Sequence, residues 1–392
     1  MAPDPATPRF LAFYAAVFAA FGAASPFLPG LLQERGLSPA ALGVALAAGT
    51  AIRLLTGPLG GRWADRQAAR GGSPKRVLAG FVAASAVLAL AYGPASGLLL
   101  LTAVSLMHAA VLAPVTPIAD ALATQAAERG GGFRYGWARG MGSAAFVAAT
   151  LLSGQAVGIW GLAAIIPLNA GLLAAAAVVA LLLPGAPGRA TRTGAPRPPA
   201  TALLRIPGFA SLMGIAALIG GSHAMHDGFE VIRWRDAGMT PAAASVLWSA
   251  SVLSEVFVFV VAGPALLRRL GPAASLALAA AAGMVRWSAA AVTASLPVMA
   301  MVEPLHGFTF ALVHLTCVTA IGRIVPAGLT ATALAFYATV ALGVTGSVVT
   351  LGSGPLYGWL GASAFWAMAA LCAVAFPLAL RLRLAPRPTE PS

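Results

Sequence analysis

Charge is scarce in this chain of 392 residues: Asp, Glu, Lys and Arg together make up 9% of it, and only 11 of them are acidic. A soluble globular domain carries about 25% charged residues, so a water-exposed surface of ordinary extent is excluded. Cysteine is as rare. Cys317 and Cys372 are the only two, and both fall inside long apolar runs, which argues against a disulfide framework or a cysteine metal site and leaves them as packing residues. The metalloprotease spacing H-E-x-x-H and the nucleophile pattern G-x-S-x-G do not occur, so no enzymatic activity is expected. No cofactor is implied.

What the chain does have is apolar length. Hydrophobic residues make up 59% of it, in runs of about 20, enough to cross a bilayer core of about 30 Å. Twelve such runs are expected, near 10–32, 39–61, 76–95, 98–123, 136–158, 161–183, 208–232, 241–267, 272–293, 298–322, 328–352 and 356–380. The fold class that follows is an all-α membrane protein of twelve transmembrane helices. The first run is long for a secretory signal and leads straight into a second, so it reads as a retained helix.

The formal net charge of +13 does not point to nucleic acid, because the cations are segregated. They gather in the tails and in every second link, as in Arg62 to Arg76, Arg268 and Arg269, and Arg381 to Arg387, while only Arg35, Arg233 and Arg235 fall in or beside the alternate links. This asymmetry orients a multi-pass protein of the cell's inner membrane with both termini in the cytoplasm. The partners expected are the lipid bilayer, a small-molecule substrate and protons, with no nucleic acid, around a monomer.

The chain also repeats itself. GLSPAALGV from Gly36 returns as GMTPAAASV from Gly238, an offset of 202, each with a hydroxyl N-cap, Ser38 or Thr240, before a proline at the first helical position. The Pro- and Arg-rich link between the sixth and seventh runs then divides the chain into an N-terminal six-helix half (1–183), a cytoplasmic linker (184–207) and a C-terminal half (208–392). The same offset sets Arg53 against Glu255, opposite charges at equivalent depth. Internal repeats around a central polar site are a common build for secondary transporters.

The charges that stand out at depth inside the runs are Arg53, Arg139 and Arg286, with Asp120, Glu255 and Glu303. A charge at the centre of a membrane helix costs about 2.5–3.5 kcal/mol, so such residues face a bundle interior or a water-filled cavity. Fixed ion pairs locking helices together and a polar substrate cavity are both open readings. At 100° per residue, Glu303, His306, Phe310 and His314 form one stripe, and Trp248, Ser251 and Glu255 share a face, as do Tyr135, Arg139 and Phe146. His223, His226 and Asp227 in GGSHAMHDGFEV read as a gate or as helix-end polarity. A zinc site there would need a fourth ligand that the stretch does not offer, so no metal is expected.

GPLGGRWADR (Gly57 to Arg66) resembles the loop after the second helix of the major facilitator superfamily, G-x-x-x-D-R-x-G-R, with Gly61, Asp65 and Arg66 matching and Ala68 and Ala69 departing. The opening FYAAVFAAFGAASPFLPGLLQERGLSPAALG looks like the phenylpropionate-permease branch, a neighbour of lactose permease and the nucleoside:proton symporters. YGWARGMGS, PIAD, MVRWS and LHGF are similar to its motifs on the fifth, fourth, ninth and tenth helices. The resemblance implies the major facilitator fold and proton-coupled uptake of a small organic solute, an aromatic carboxylate being suggested by the arginines. The alternatives are proton-driven efflux and a non-transporting sensor. It places Arg139, Arg286, His306 and Asp120 at substrate-binding positions, with Trp248 as an aromatic wall. Glu255 and Glu303 are the candidates for proton coupling, because Thr309 stands where lactose permease carries a carboxylate. Gly61, Asp65 and Arg66 are implied as the inner gate, with Asp65 directed to the N-terminus of the eleventh helix near Ala327.

Overall fold

A computed structural model of the chain describes residues 6–129, 133–184 and 200–384. Residues 185–199 of the expected linker thus lie outside the described residues. All the regular structure among the described residues is helical. Among the described residues, nine continuous helical runs are long and apolar enough to cross a membrane. Two of these, Pro241–Val292 and Thr330–Leu380, each contain a glycine in the left-handed φ region, Gly271 (φ 74°) and Gly361 (φ 56°), where the helix breaks. Glycine alone takes that conformation without a Cβ penalty. Splitting both runs there, and adding the interrupted run 209–236, gives twelve segments among the described residues. Their order matches the twelve apolar runs.

The repeated caps fold as repeats. Ser38 Oγ accepts from the Ala41 N–H at 3.3 Å ahead of Pro39, and Thr240 Oγ1 accepts from the Ala243 N–H at 3.2 Å ahead of Pro241. The chain forms two compact units, Met1–Arg192 with Gly238–Ser249, and Thr193–Ala237 with Ala250–Ser392. In the first, Phe10, Phe13, Tyr14 and Val17 of the first helix pack with Leu78 and Val82 of the third and Leu173 of the sixth. In the second, Phe209, Leu212 and Ile215 of the seventh span pack with Leu276, Cys317 and Ala375. Cys317 and Cys372 are free and buried.

The second unit departs from regular α-helix in a specific way. Wide π turns occur at His226–Glu230, Val258–Ala262, Gly307–Leu312 and Tyr337–Val344, inside the seventh, eighth, tenth and eleventh spans. Such turns recur at functional sites because they re-aim side chains within an otherwise rigid rod. The one in the tenth span opens at Gly307, whose N–H donates to Ser254 Oγ at 3.0 Å. A Cβ there would lie 2.6 Å from the Ser254 carbonyl oxygen. Gly307→Ala is therefore expected to force the eighth and tenth spans apart and to lower stability by about 1–3 kcal/mol, the usual cost of overpacking. Thermal unfolding of purified protein in detergent measures it; an unchanged midpoint would mean that the two spans separate freely.

Candidate functional site

The tenth span carries the site of the second unit. Its α-helix Leu296–Val302 tightens into a 3-10 turn at Glu303–Leu305, where Pro304 removes one backbone donor, and then opens into the π turn after His306. Glu303, 1% exposed, is fixed by donors from two other spans. Arg286 NH2 donates to its Oε2 at 2.6 Å, and Ser251 Oγ donates to the same oxygen at 2.5 Å. Arg286 is itself fully buried and lies over the Trp287 ring at 4.5 Å. Charge-assisted contacts of this kind are the strong class of hydrogen bond and hold both partners in one geometry.

His306 joins this pair to a second carboxylate. Its Nδ1 is 2.7 Å from Arg286 NH1, and its Nε2 is 2.7 Å from Glu255 Oε1. A guanidinium only donates, so Nδ1 is the bare nitrogen and Nε2 carries the hydrogen that Glu255 accepts. One neutral imidazole thereby links Arg286 to a carboxylate whose side chain is 21% exposed, against 2% for Glu303. The two coupling candidates therefore differ in kind: Glu303 is clamped and buried, Glu255 is held by one partner and partly exposed.

The expected stripe holds only in part. His306 stacks on Phe310, with centroids 5.7 Å apart and planes at 5°. His314 instead meets the Tyr337 hydroxyl at 3.4 Å and the Phe259 ring. The intervening π turn takes up an extra residue and displaces everything after it around the helix axis. His223 and His226, read from sequence as helix-end polarity or a gate, belong to the buried network. His223 Nε2 is 2.9 Å from Thr309 Oγ1, so the residue standing in place of the lactose permease carboxylate has a histidine partner. His226 Nε2 is 3.3 Å from Glu303 Oε2.

Sequence reasoning also missed Glu230 and Arg233. Glu230 is fully buried with its closest cation, Arg233 NH1, at 3.9 Å, and Arg233 lies over the Phe365 ring. The signal was available: Glu230 follows His226 by four residues, one helical turn on. Glu230 already lies inside the seventh apolar run, and Arg233 joins it because the helical run continues to Asp236.

In the first unit, Arg139 NH1 and Asp120 Oδ1 are 4.0 Å apart, with side chains 43% and 33% exposed. Tyr14, which no polar signal marked, donates its hydroxyl to Asp120 Oδ1 at 2.5 Å. The Arg139 guanidinium lies 4.9 Å over the Phe18 ring, and Tyr135 meets Tyr14 edge to face. Two of the three intramembrane arginines thus pair with carboxylates, Arg139 with Asp120 and Arg286 with Glu303, while Glu255 takes His306. Arg53 is exposed on the second span, and Trp248 of the eighth is buried. Asp65 and Arg66 are part of the helix Pro39–Ala69; Arg66 is exposed, and a Cβ at Gly61 would meet open space. The glycine under steric demand is its neighbour Gly60, which packs against Pro114 and Phe81.

Membrane-spanning helices with charge pairs set inside them, one of them buried, are the build of a membrane transporter, and comparison with known proteins gives the family. The model of the MFS_1 like family matches residues 9–368, and the chain belongs to that family. It is 29% identical over 367 residues, 92% of this chain and 94% of the relative, to the "Probable 3-phenylpropionic acid transporter" of Escherichia coli (strain K12). It is 28% identical over 378 residues, 95% of this chain and 93% of the relative, to the maltose permease of Geobacillus stearothermophilus. Among solved structures, the nucleoside transporter NupG superposes with a TM-score of 0.79 at 15% identity, covering 97% of this chain and 98% of its own. The peptide transporter PepTSo gives 0.70 at 13% identity, with 96% of both chains covered. The protein is an integral, multi-pass membrane transporter with the major facilitator fold.

Proposed function

We propose that this protein takes up a small aromatic carboxylate together with protons, by alternating access of its two six-helix halves, 1–183 and 208–392. The observation that carries the reading is the position of Arg286, buried and joined at one end to Glu303 and, through His306, to Glu255. A substrate carboxylate that engages this guanidinium competes with Glu303 and pulls on His306. The Glu255–His306 contact then changes with substrate occupancy, which couples a proton on Glu255 to the solute. Arg139, with Asp120 and Tyr14 beside it, supplies the matching cation of the other half. Trp248 adds aromatic surface. No group in this scheme performs covalent chemistry, so the protein acts as a carrier and not as an enzyme, as a monomer in the inner membrane with both termini in the cytoplasm. Gly61, Asp65 and Arg66 form the proposed inner gate. The similarity to a 3-phenylpropionic acid transporter supports the aromatic carboxylate over a sugar or a nucleoside.

The test is uptake by proteoliposomes with a pH gradient imposed in either direction, comparing 3-phenylpropionate, uridine and maltose. Accumulation of 3-phenylpropionate when the outside is acid, abolished by a protonophore, is the expected result. Accumulation only with the opposite gradient would make the protein an exporter. Gradient-independent equilibration of all three solutes would overturn proton coupling.

A further inference from the structure

Among the described residues, Arg53 stands deep in a span without a carboxylate. Arg139 has Asp120 at 4.0 Å, Arg286 has Glu303 at 2.6 Å and Arg233 has Glu230 at 3.9 Å, whereas Arg53 makes no ion pair or hydrogen bond among those residues. It lies roughly 21 Å along its helix from Pro39 at 1.5 Å per residue, near the middle of the bilayer and out of reach of headgroup phosphates. Gly49 and Gly57 stand one turn before and one turn after Arg53 on the same helix face, and both abut the fourth span. A Cβ added at Gly49 would lie 3.6 Å from the Ala109 Cβ, and one at Gly57 would lie 3.8 Å from the Ala113 carbonyl oxygen. Arg53 is therefore on the face that packs against the fourth span rather than on a lipid face, and its side chain is still exposed there.

The neighbours of Arg53 are donors too. Tyr92 and His108 are the titratable groups close enough to feel its charge, and no carboxylate is among them. His108 is 7% exposed, its Nε2 is buried without a hydrogen-bond partner, and its ring meets Tyr92 edge-on at 5.7 Å. Tyr92 is fixed in turn by donating its hydroxyl to Ser105 Oγ at 3.3 Å, on the same span as His108. The second unit fills the equivalent positions differently. The repeat that sets Arg53 against Glu255 also sets the fourth helix, from Gly97, against the tenth, from Leu296, so His108 and His306 stand at the same turn. There the histidine meets Glu255 at 2.7 Å. In the first unit a guanidinium replaces that carboxylate. A guanidinium only donates, and a neutral imidazole has one N–H to offer; a cation unpaired at this depth is unfavourable. We propose that Arg53 and His108 form an anion site of the N-terminal half, which takes one small monovalent anion, a carboxylate or a halide. The carboxylate comes from the transported solute and the halide from the medium; either brings the acceptor that the chain lacks there. The site is additional to the Arg286 contact described above and does not depend on proton coupling.

Thermal unfolding and direct binding test the site on the full-length protein in detergent at low salt, with sodium chloride, sodium acetate and sodium 3-phenylpropionate as probes. At least one probe should bind the wild type saturably and raise its thermal midpoint, because a ligand held only by the folded state stabilises it by mass action. In Arg53→Gln the affinity for that probe should fall by about 100-fold, the scale of a lost charge-assisted contact. The midpoint of this variant without added anion should be no lower than that of the wild type, since no ion pair is removed. His108→Phe, which keeps a ring beside Tyr92 and removes the N–H, should weaken the same probe by about 10-fold. Loss of chloride binding alone identifies an anion of the medium, and Arg53→Lys should then hold chloride nearly as well as the wild type. Loss of acetate and 3-phenylpropionate binding identifies the carboxylate of the solute, and Arg53→Lys should then bind weakly for want of the planar fork. The proposal is overturned if no probe binds the wild type, or if all three bind Arg53→Gln as they bind the wild type. A markedly lower midpoint of Arg53→Gln without anion would also overturn it, by making Arg53 a structural cation with a partner inside the fold. Unchanged affinity in His108→Phe would take the imidazole out of the site. Since binding alone is read, a failure of proton-driven uptake in the proteoliposomes above leaves each of these outcomes decisive.

Discussion

Arg286→Gln should be the most damaging single change in the protein, and the loss should be largely reversed in stability, but not in binding, by adding Glu303→Gln. Arg286 is fully buried and Glu303 nearly so, at 2.6 Å from one another. Removing one partner of such a pair leaves an uncompensated buried charge and costs about 3–5 kcal/mol, whereas neutralising both is often close to neutral. The single variant should therefore show poor yield and a lowered thermal midpoint in detergent. The double variant should regain most of that midpoint, since the Ser251 donor is still in place for a glutamine oxygen. Neither should bind 3-phenylpropionate, because the guanidinium that meets the carboxylate is gone in both. Arg286→Lys isolates geometry from charge: a lysine retains the cation but loses the planar fork that reaches Glu303 and His306 together. Its affinity should drop by about 100-fold, equivalent to the roughly 3 kcal/mol of a charge-assisted contact. A folded Lys variant that binds as the wild type does would take Arg286 out of the substrate site.

Much of this architecture was legible in the amino-acid order. Apolar run length locates the spans, since a bilayer of fixed thickness demands it. The paired caps at Ser38 and Thr240 mark equivalent helix starts because hydroxyl capping and N-terminal proline are local chemistry. Arg286, Glu303 and His306 declared themselves as polar residues in apolar surroundings. What stayed hidden depends on the rotation of one span against another. Periodicity at 100° per residue put His314 with Glu303, and it failed because a π turn at Gly307–Leu312 interrupts the rule without any local sequence mark beyond a glycine. Tyr14 carried no signal at all, being one aromatic in an apolar run until the fold sets its hydroxyl on Asp120. Ser251 and His226 were visible as polar residues, but their convergence on one oxygen of Glu303 is a fact of packing among the seventh, eighth and tenth spans.

That convergence also separates the two carboxylates left open by the sequence, and the largest functional effect follows from it. Glu303 receives two donors on Oε2 and balances a buried arginine, so Glu303→Gln should behave first as a folding and binding defect. Glu255 has His306 as its hydrogen-bond partner and a side chain 21% exposed, so a glutamine there can still accept the His306 Nε2–H through its amide oxygen. The network around Arg286 keeps its shape, and only the capacity to gain and lose a proton is removed. Glu255→Gln should therefore exchange labelled for unlabelled 3-phenylpropionate across the membrane at close to the wild-type rate, since exchange requires no net proton release. It should fail to accumulate the solute under a pH gradient and bring it only to equal concentrations on the two sides. Initial uptake should also lose its dependence on external pH. The comparison is made in the same proteoliposomes, with exchange as the measure of intact binding and translocation. If Glu255→Gln concentrates 3-phenylpropionate against its gradient while a folded Glu303→Gln exchanges but cannot concentrate it, the coupling proton rides on Glu303, and Glu255 serves only to orient His306.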